Sequence, residues 1–381
     1  MAKKAYIGID GVAKAVTKVY LGIDDVARLV KKTYIGIGGV ARPCWGGGRK
    51  LEYYGPITSL SVGRYTPGAT TVGSYALFGG GWSGSAYCST VDAYDTNLTR
   101  TLPEELGEGR YMGAATSVGG YALFAGGIAN NNVHSSYVDA YDKTLTRTVA
   151  PELSHPRCNA NATDLGSLAF ISGNPYQGSA NDVDVYNGLT RLSNVELSTT
   201  KKGVLGATSI GGYALFGGGQ TSDGNVSATV DAYDSSMTRT NPTELSTARY
   251  GLAATSVGRY ALFGGGCKNA SPNVFYATVD AYDKSLTKTL STELSVPRRY
   301  ETAVTIGDYA LFCGGEIANF NITTTVDAYD SSLTRSIPAS LSTARYFAGA
   351  TTVGNYALIG GGSASTGGVA YSATVDAYTL V

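Results

Sequence analysis

The sequence predicts an all-β fold, a seven-bladed β-propeller of four-stranded antiparallel blades preceded by a small β-hairpin repeat arm, and three observations predict it. A segment reading like Val-Gly-x-Tyr-Ala-Leu-Phe-Gly-Gly-Gly recurs along the chain, at Tyr75, Tyr121, Tyr213, Tyr260, Tyr309 and Tyr356, with Leu168 standing in the third copy. A second segment, Thr-Val-Asp-Ala-Tyr-Asp, follows each copy after a variable insert and places Asp92, Asp139, Asp184, Asp231, Asp280, Asp327 and Asp376 at intervals of 45 to 49 residues. Self-similarity at such a period marks a solenoid or propeller, because one unit cannot bury its own apolar faces. Finally, no window carries the period of an amphipathic helix.

Residues 247–295 show one copy most clearly. Arg249 to Val257 is small and apolar and stops at Gly258; Tyr260-Ala261-Leu262-Phe263 stops at Gly264-Gly265-Gly266. Thr278 to Tyr282 is β-branched and aromatic, and a connection from Asp283 to Leu286 leads into Thr287-Lys288-Thr289-Leu290. Short β-branched and aromatic runs bounded by Gly, Asn, Asp and Pro read as strands. Both faces are apolar, as expected of a sheet sandwiched between two neighbours.

The double glycine, the Val-Asp-Ala-Tyr-Asp strand and an Arg ahead of the first strand resemble the kelch family of β-propellers, over residues 51–381. The pattern departs from that family where a Trp commonly closes the repeat: here stand Leu98-Thr99-Arg100 and Leu333-Thr334-Arg335. The resemblance implies a fold and selects no ligand, since such propellers serve many functions.

Strand counting also predicts how the ring closes. The chain ends at Val381, just after a third strand, and the missing fourth is supplied by residues 51–61, which align with the region leading to Arg249-Tyr250. Closing the sheet this way removes two open edges, so deleting residues 51–61 should damage solubility.

Residues repeated in every blade are read as builders of the blade. This covers the arginines Arg64, Arg110, Arg157, Arg249, Arg299 and Arg345, the glutamates Glu105, Glu152, Glu196, Glu244 and Glu293, and the aspartate ring, whose buried carboxylates must find donors. The glycine triplets lack the following helix and Lys-Ser/Thr pair of a phosphate loop. Phe78, Phe124, Phe216, Phe263 and Phe312 should be core.

The inserts between second and third strands differ in every blade and must emerge on one rim. Their aromatics mixed with Asn, Gln, Asp and Gly suit an adaptable contact surface. The candidate ligand-binding residues on this loop face are Trp82, Tyr87, Asn131, His134, Tyr176, Phe275, Tyr276, Phe320 and Tyr371. We expect no catalysis, no cofactor and no metal site: the two histidines, His134 and His155, lie outside any metal-ligand spacing. A glycosidase needs two facing carboxylates, and nothing in the sequence selects a pair from Asp164, Asp182, Asp223, Asp308 and Glu316.

Residues 1–50 are a different object. Three copies of a Tyr-Ile-Gly-Ile-x-x-Val-Ala-Lys/Arg unit begin at Tyr6, Tyr20 and Tyr34 with a period of 14. Asp-Gly or Gly-Gly between apolar runs predicts a hairpin turn, and an isolated hairpin is marginal in water. The arm therefore expects a partner, through Tyr6, Tyr20, Tyr34, Lys18, Arg28 and Arg42, and homo-oligomerisation is one way to supply it. Ten Lys or Arg against three Asp give the arm +7, and 19 against 26 give the remainder −7. A nucleic-acid partner is disfavoured because the aromatic platform or basic helix is absent.

The arm repeats resemble N-terminal segments of bacteriophage and prophage virion or tail-associated proteins, over about 45 residues. That resemblance implies an anchoring module carrying an outward-facing propeller. No secretory signal or membrane span is read, and five scattered cysteines, Cys44, Cys88, Cys158, Cys267 and Cys313, suit free thiols. The sequence thus predicts a virion protein made in the host cytoplasm, binding virion or tail proteins through the arm and a host-surface glycan or protein through its loops. Two alternatives stay open, an intracellular bacterial interaction scaffold and a glycan-processing enzyme.

Overall fold

The computed structural model describes the six arm strands and residues 49–381, apart from 176–180, 202, 204, 269–273 and 367–369. The chain divides into two compact units, Met1–Lys50 with Val381, and Leu51–Leu380. In the first, Ala5–Ile9 pairs with Val12–Val16, Tyr20–Ile23 with Val26–Leu29, and Lys32–Ile37 with Val40–Gly46, all antiparallel. Tyr6, Tyr20 and Tyr34 lie on the first strand of each pair, and Arg28 and Arg42 on the second strands of their pairs. Lys18 falls outside the described residues.

The second unit is a seven-bladed β-propeller of four-stranded antiparallel sheets. We number blades by their first strands in chain order. Blade 5 shows the plan: Ala253–Val257, Tyr260–Gly264, Val279–Asp283 and Lys288–Leu290 pair in sequence order. First strands of successive blades pack side by side around the axis, and that of blade 7 returns to blade 1. Blade 7 takes its outer strand from the start of the unit: Leu51–Ile57 pairs with Val375–Leu380, with a bulge between Ala377 and Tyr378. Residues beyond Ile57 continue the seam, Leu60 N–H donating to the Ala373 carbonyl at 2.8 Å.

The apolar core consists of seven clusters, one at each interface between neighbouring blades. One of them joins Phe78 and Tyr94 of blade 1 to Leu358 and Val375 of blade 7, which closes the ring. The glycine ending a second strand has a steric reason. A Cβ on Gly264 would lie 2.7 Å from the Phe312 ring of the next blade, and one on Gly217 2.8 Å from Phe263. The missing side chain is what lets Phe78, Phe124, Phe263 and Phe312 pack on the neighbouring strand.

Each blade also carries one buried ion pair. Arg64–Asp92, Arg110–Asp139, Arg157–Asp184, Arg249–Asp280, Arg298–Asp327 and Arg345–Asp376 close to 2.5–2.8 Å, and Lys201–Asp231 fills blade 4 at 3.4 Å. In blade 5 the same guanidinium donates to the Phe263 carbonyl, and Asp280 accepts from the Ser246 N–H and hydroxyl. Charges taken from water need such partners, and the cation side is met only in part, since Nε of Arg64, Arg249, Arg298 and Arg345 is buried without one. One expectation is corrected: the blade 6 pair uses Arg298, while Arg299 occupies the adjacent position. Third-strand tyrosines complete the frame; Tyr94, Tyr141, Tyr282 and Tyr329 donate to carbonyls of the connection outside the blade at 2.7–2.9 Å.

The Leu-Thr-Arg ending has its own local cause. Asp283 Oδ1 accepts the Ser285 and Thr287 N–H groups, which curls the chain and holds Leu286 at φ 59°. The equivalent Leu98, Leu145, Met237 and Leu333 share that left-handed backbone, an aspartate cap overriding the usual preference for glycine.

Candidate recognition rim

Among the described residues, the inserts between second and third strands emerge at one end of the ring, beside the segments that lead into the first strands. Several fold into two-stranded ribbons: Ile128–Ala129 with Val133–His134, Cys267–Lys268 with Val274–Phe275, and Glu316–Ile317 with Asn321–Ile322. Their first residues bridge inward to the pre-strand segments, in the pairs Tyr65 with Trp82, Tyr111 with Ile128, Tyr250 with Cys267, Arg299 with Glu316 and Tyr346 with Ser363. The rim is therefore an ordered extension of the blades.

A continuous arc of rings results. Successive ring centroids lie 4.8 Å apart for Tyr87–Trp82, 6.0 for Trp82–Tyr111, 5.7 for Tyr111–Tyr65, 5.8 for Tyr65–Phe347, 4.1 for Phe347–Tyr300 and 6.2 for Tyr300–Tyr250. Tyr371 joins at Tyr65, 5.9 Å away. Trp82, Tyr87 and Tyr371, expected on the loop face, are each half-buried, because the insert folds back onto the pre-strand tyrosines.

The backbone beneath the arc forms a collar. Tyr300 N–H donates to the Gly251 carbonyl (2.7 Å), Phe347 N–H to Tyr300 (3.0 Å) and Thr66 N–H to Phe347 (2.9 Å). Thr66 Oγ1 then accepts from Met112 N–H at 3.3 Å, and the Met112 carbonyl from Ala160 at 3.2 Å. Thr66, Met112, Tyr300 and Phe347 stand at φ 51–57°, a left-handed conformation that aims each residue's backbone at the next blade. Non-glycine residues there cost about 1 kcal/mol or more each, and the collar and ring contacts offset it.

At one end of the arc sits a charged knot. Arg299 binds Glu316 through Nε (3.0 Å) and Nη2 (3.2 Å), and its Nη1 donates to the Tyr250 hydroxyl (2.7 Å) and Cys267 Sγ (3.3 Å). Its guanidinium lies 4.7 Å from the Tyr300 ring centroid and 5.3 Å from Phe275. Phe275 and Tyr276, expected exposed, are half-buried, Phe275 against Arg299 and Tyr276 through its backbone bonds to Gly266 and Arg298.

The remaining predicted residues are dispersed. Phe320 is 70% exposed at the tip of its ribbon. Asn131 is exposed at φ 61°, beside Asn132, whose Oδ1 accepts from the Tyr87 hydroxyl at 2.8 Å. His134 is half-buried opposite Ile128, and burial holds its pKa below the usual imidazole value. Tyr176 lies outside the described residues. Among the unrepeated acids, Glu316 is bound by Arg299 and Asp223 by Asn225 at 2.9 Å, while Asp182 lies 3.1 Å from His155 Nδ1. Among the described residues no group of three or more His, Cys, Asp or Glu is placed to hold a metal, and no helix is long and apolar enough to cross a membrane. Cys88, Cys158, Cys267 and Cys313 are buried free thiols.

The sequence reading missed Tyr65, Tyr111, Tyr300 and Phe347, which were absorbed into the repeated Arg-Tyr pattern. A signal existed for Tyr300 and Phe347: the position two residues after the buried cation varies between blades, reading Thr66, Met112, Asn159, Gly203, Gly251, Tyr300 and Phe347. Structural repeats have no need to vary there.

Blade 6 holds one further departure. Glu301 occupies a position that is Leu252 in blade 5 and Ala348 in blade 7, and it lies against Gly265. Neither carboxylate oxygen is in hydrogen-bonding geometry with a donor; the Ala253 N–H and its own N–H stand only nearby. Burial pushes its pKa up from 4.5 to about 8, and the Arg298 charge offsets part of that rise. The folded chain holds this proton where the unfolded chain has released it, so the contribution to stability is full below pH 4.5 and lost as pH rises towards 8. Glu301→Gln should remove this dependence: its melting temperature should match the parent near pH 4.5 and exceed it by several degrees at pH 9. Parallel melting curves across that range would contradict the assignment.

No protein-family model and no curated protein sequence matches the chain. Solved structures do: that of YjhT superposes with a TM-score of 0.58 at 12% identity, over 74% of this chain and 99% of that one. The likeness concerns fold alone, and with 683 solved chains resembling it the architecture selects no activity.

Proposed function

We propose that this is a noncatalytic recognition protein of bacteriophage type, a kelch-like propeller whose insert-bearing rim binds a host-surface or virion partner and whose N-terminal arm anchors it to a virion or tail assembly. The observation that carries this reading is the division of labour within the repeat. Seven blades hold a nearly constant frame, with a buried cation–Asp pair and a tyrosine tie in each and Phe-on-Gly contacts at four of the interfaces, while the inserts at one rim differ throughout. Rigid scaffolds carrying variable, aromatic and amide-rich loops are how binding surfaces are built. Phe320, left 70% exposed at a ribbon tip, fits that use. The arm supports the anchoring half through its three basic hairpin repeats, each too small to be stable without a partner.

The test is binding of labelled full-length protein to a panel of intact bacteria. At least one strain should be bound, and joint replacement of Trp82, Phe275 and Phe320 by Ala should weaken that binding about tenfold or more, as expected for loss of aromatic anchors. Equal binding by the triple variant, its fold intact by melting temperature, would refute the rim.

A further inference from the structure

Resting on the recognition reading above, we propose that the aromatic arc around the axial mouth is a saccharide platform, taking the neutral pyranose chain of a glycan. Five observations lead to it. Rings contributed by blades 5, 6, 7, 1 and 2 form one uninterrupted arc, so the surface is large enough for several sugar units rather than one. Pyranoses present apolar C–H faces that lie on aromatic faces and hydroxyl edges that need hydrogen bonds, a combination matched by rings with a polar handle.

Tyrosine supplies that handle here. Among the described residues the hydroxyls of Tyr65 and Tyr111 make no hydrogen bond to the protein, although both side chains are half-buried. They are donors and acceptors held at the mouth with no internal use. In blade 3 the position equivalent to Tyr300 and Phe347 is Asn159, also in left-handed backbone, whose carbonyl accepts from Asn161 Nδ2 at 3.0 Å. Amides placed beside stacking rings can bond the hydroxyl edges of the same chain.

Charge narrows the class. Among the described residues, the charged couple bordering the arc, Arg299 with Glu316, is bidentate and nearly buried, so neither member offers a free charge to a ligand. An acidic glycan would find no counter-ion among the arc residues, whereas a neutral one brings no charge to desolvate, only hydroxyls that tyrosine hydroxyls can bond. Finally, Tyr300 and Phe347 are held in left-handed backbone and stacked at 4.1 Å, which fixes their rings before any ligand arrives. Pre-organised aromatics lose little entropy on binding.

Affinity electrophoresis of the full-length protein through gels containing neutral polysaccharides (glucan, mannan, galactan) or acidic ones (polygalacturonate, hyaluronate) tests this. At least one neutral polymer should retard the protein and no acidic polymer should do so more strongly. Phe347→Ala should weaken that retardation about tenfold. The conservative Tyr65→Phe and Tyr111→Phe pair, which keeps the rings, should weaken it severalfold by removing the hydroxyls alone. Preference for acidic polymers, absence of retardation by every neutral polymer, or full retention by the Phe347→Ala and Tyr-to-Phe variants would each overturn the proposal. Cell binding that survives these variants but fails in the Phe320→Ala variant, whose ring lies outside the arc, would leave the rim intact and overturn only the platform.

Discussion

Deleting Leu51–Ile57 from the full chain is expected to abolish the soluble, cooperatively folded ring, an effect far beyond the loss of seven residues. These residues are the outer strand of blade 7, paired along Val375–Leu380. Leu51 belongs to the apolar cluster between blades 6 and 7, with Tyr53 packed against it, and the Tyr53 hydroxyl donates to Asp376 at 2.5 Å. Their removal opens a sheet edge carrying Val375, Ala377 and Tyr378 and exposes a buried aspartate. An open apolar edge templates association with other chains. Soluble yield and light scattering should show most of the product aggregated, with no cooperative thermal transition in the remainder. A soluble variant melting within a few degrees of the parent would mean that the ring does not depend on this strand.

The second large effect concerns the buried ion pairs. Arg249→Leu should destabilise the propeller by about 3–5 kcal/mol, because it leaves Asp280 charged, fully buried and bonded only to Ser246. Asp280→Leu should cost a similar amount by stranding the guanidinium. The double variant should cost clearly less than the sum, since it strands neither charge. Denaturant unfolding of the three variants checks this. Additive losses would show that the two residues act independently and that the repeated Arg and Asp are not a structural couple.

Much of this frame was legible in the sequence because repetition multiplies weak signals. One Val-Asp-Ala-Tyr segment says little, but seven at a near-constant interval specify a strand, a blade and a ring. The buried cation was legible as a type and misplaced once, since Arg299-Tyr300 imitates the Arg-Tyr pair of other blades. The discriminating signal was spacing: Arg64, Arg110, Arg249, Arg298 and Arg345 each donate to the carbonyl of the residue 14 positions on, and Arg299 does not.

The candidate site was only partly legible. Trp82, Tyr87 and Tyr371 were found because inserts vary, yet their burial was invisible, since it depends on ribbons folding back onto pre-strand tyrosines from neighbouring blades. The collar was beyond sequence reasoning for a different reason. Thr66, Met112, Tyr300 and Phe347 have no preference for left-handed backbone; contacts between blades impose it. Glu301 was hidden because a lone carboxylate in a polar-looking stretch reads as surface, whereas its blade equivalents Leu252 and Ala348 mark the position as interior.

The account stands on one rim meeting the partner, and site-directed photo-crosslinking tests that most directly. A photoreactive residue placed at Phe320, on an insert tip, or at Lys284, exposed on a turn at the opposite rim, would be activated with full-length protein bound to a recognised bacterial strain. The account predicts partner adducts from position 320 and none from 284. Adducts from 284 alone would place the binding face at the other end of the ring and contradict it.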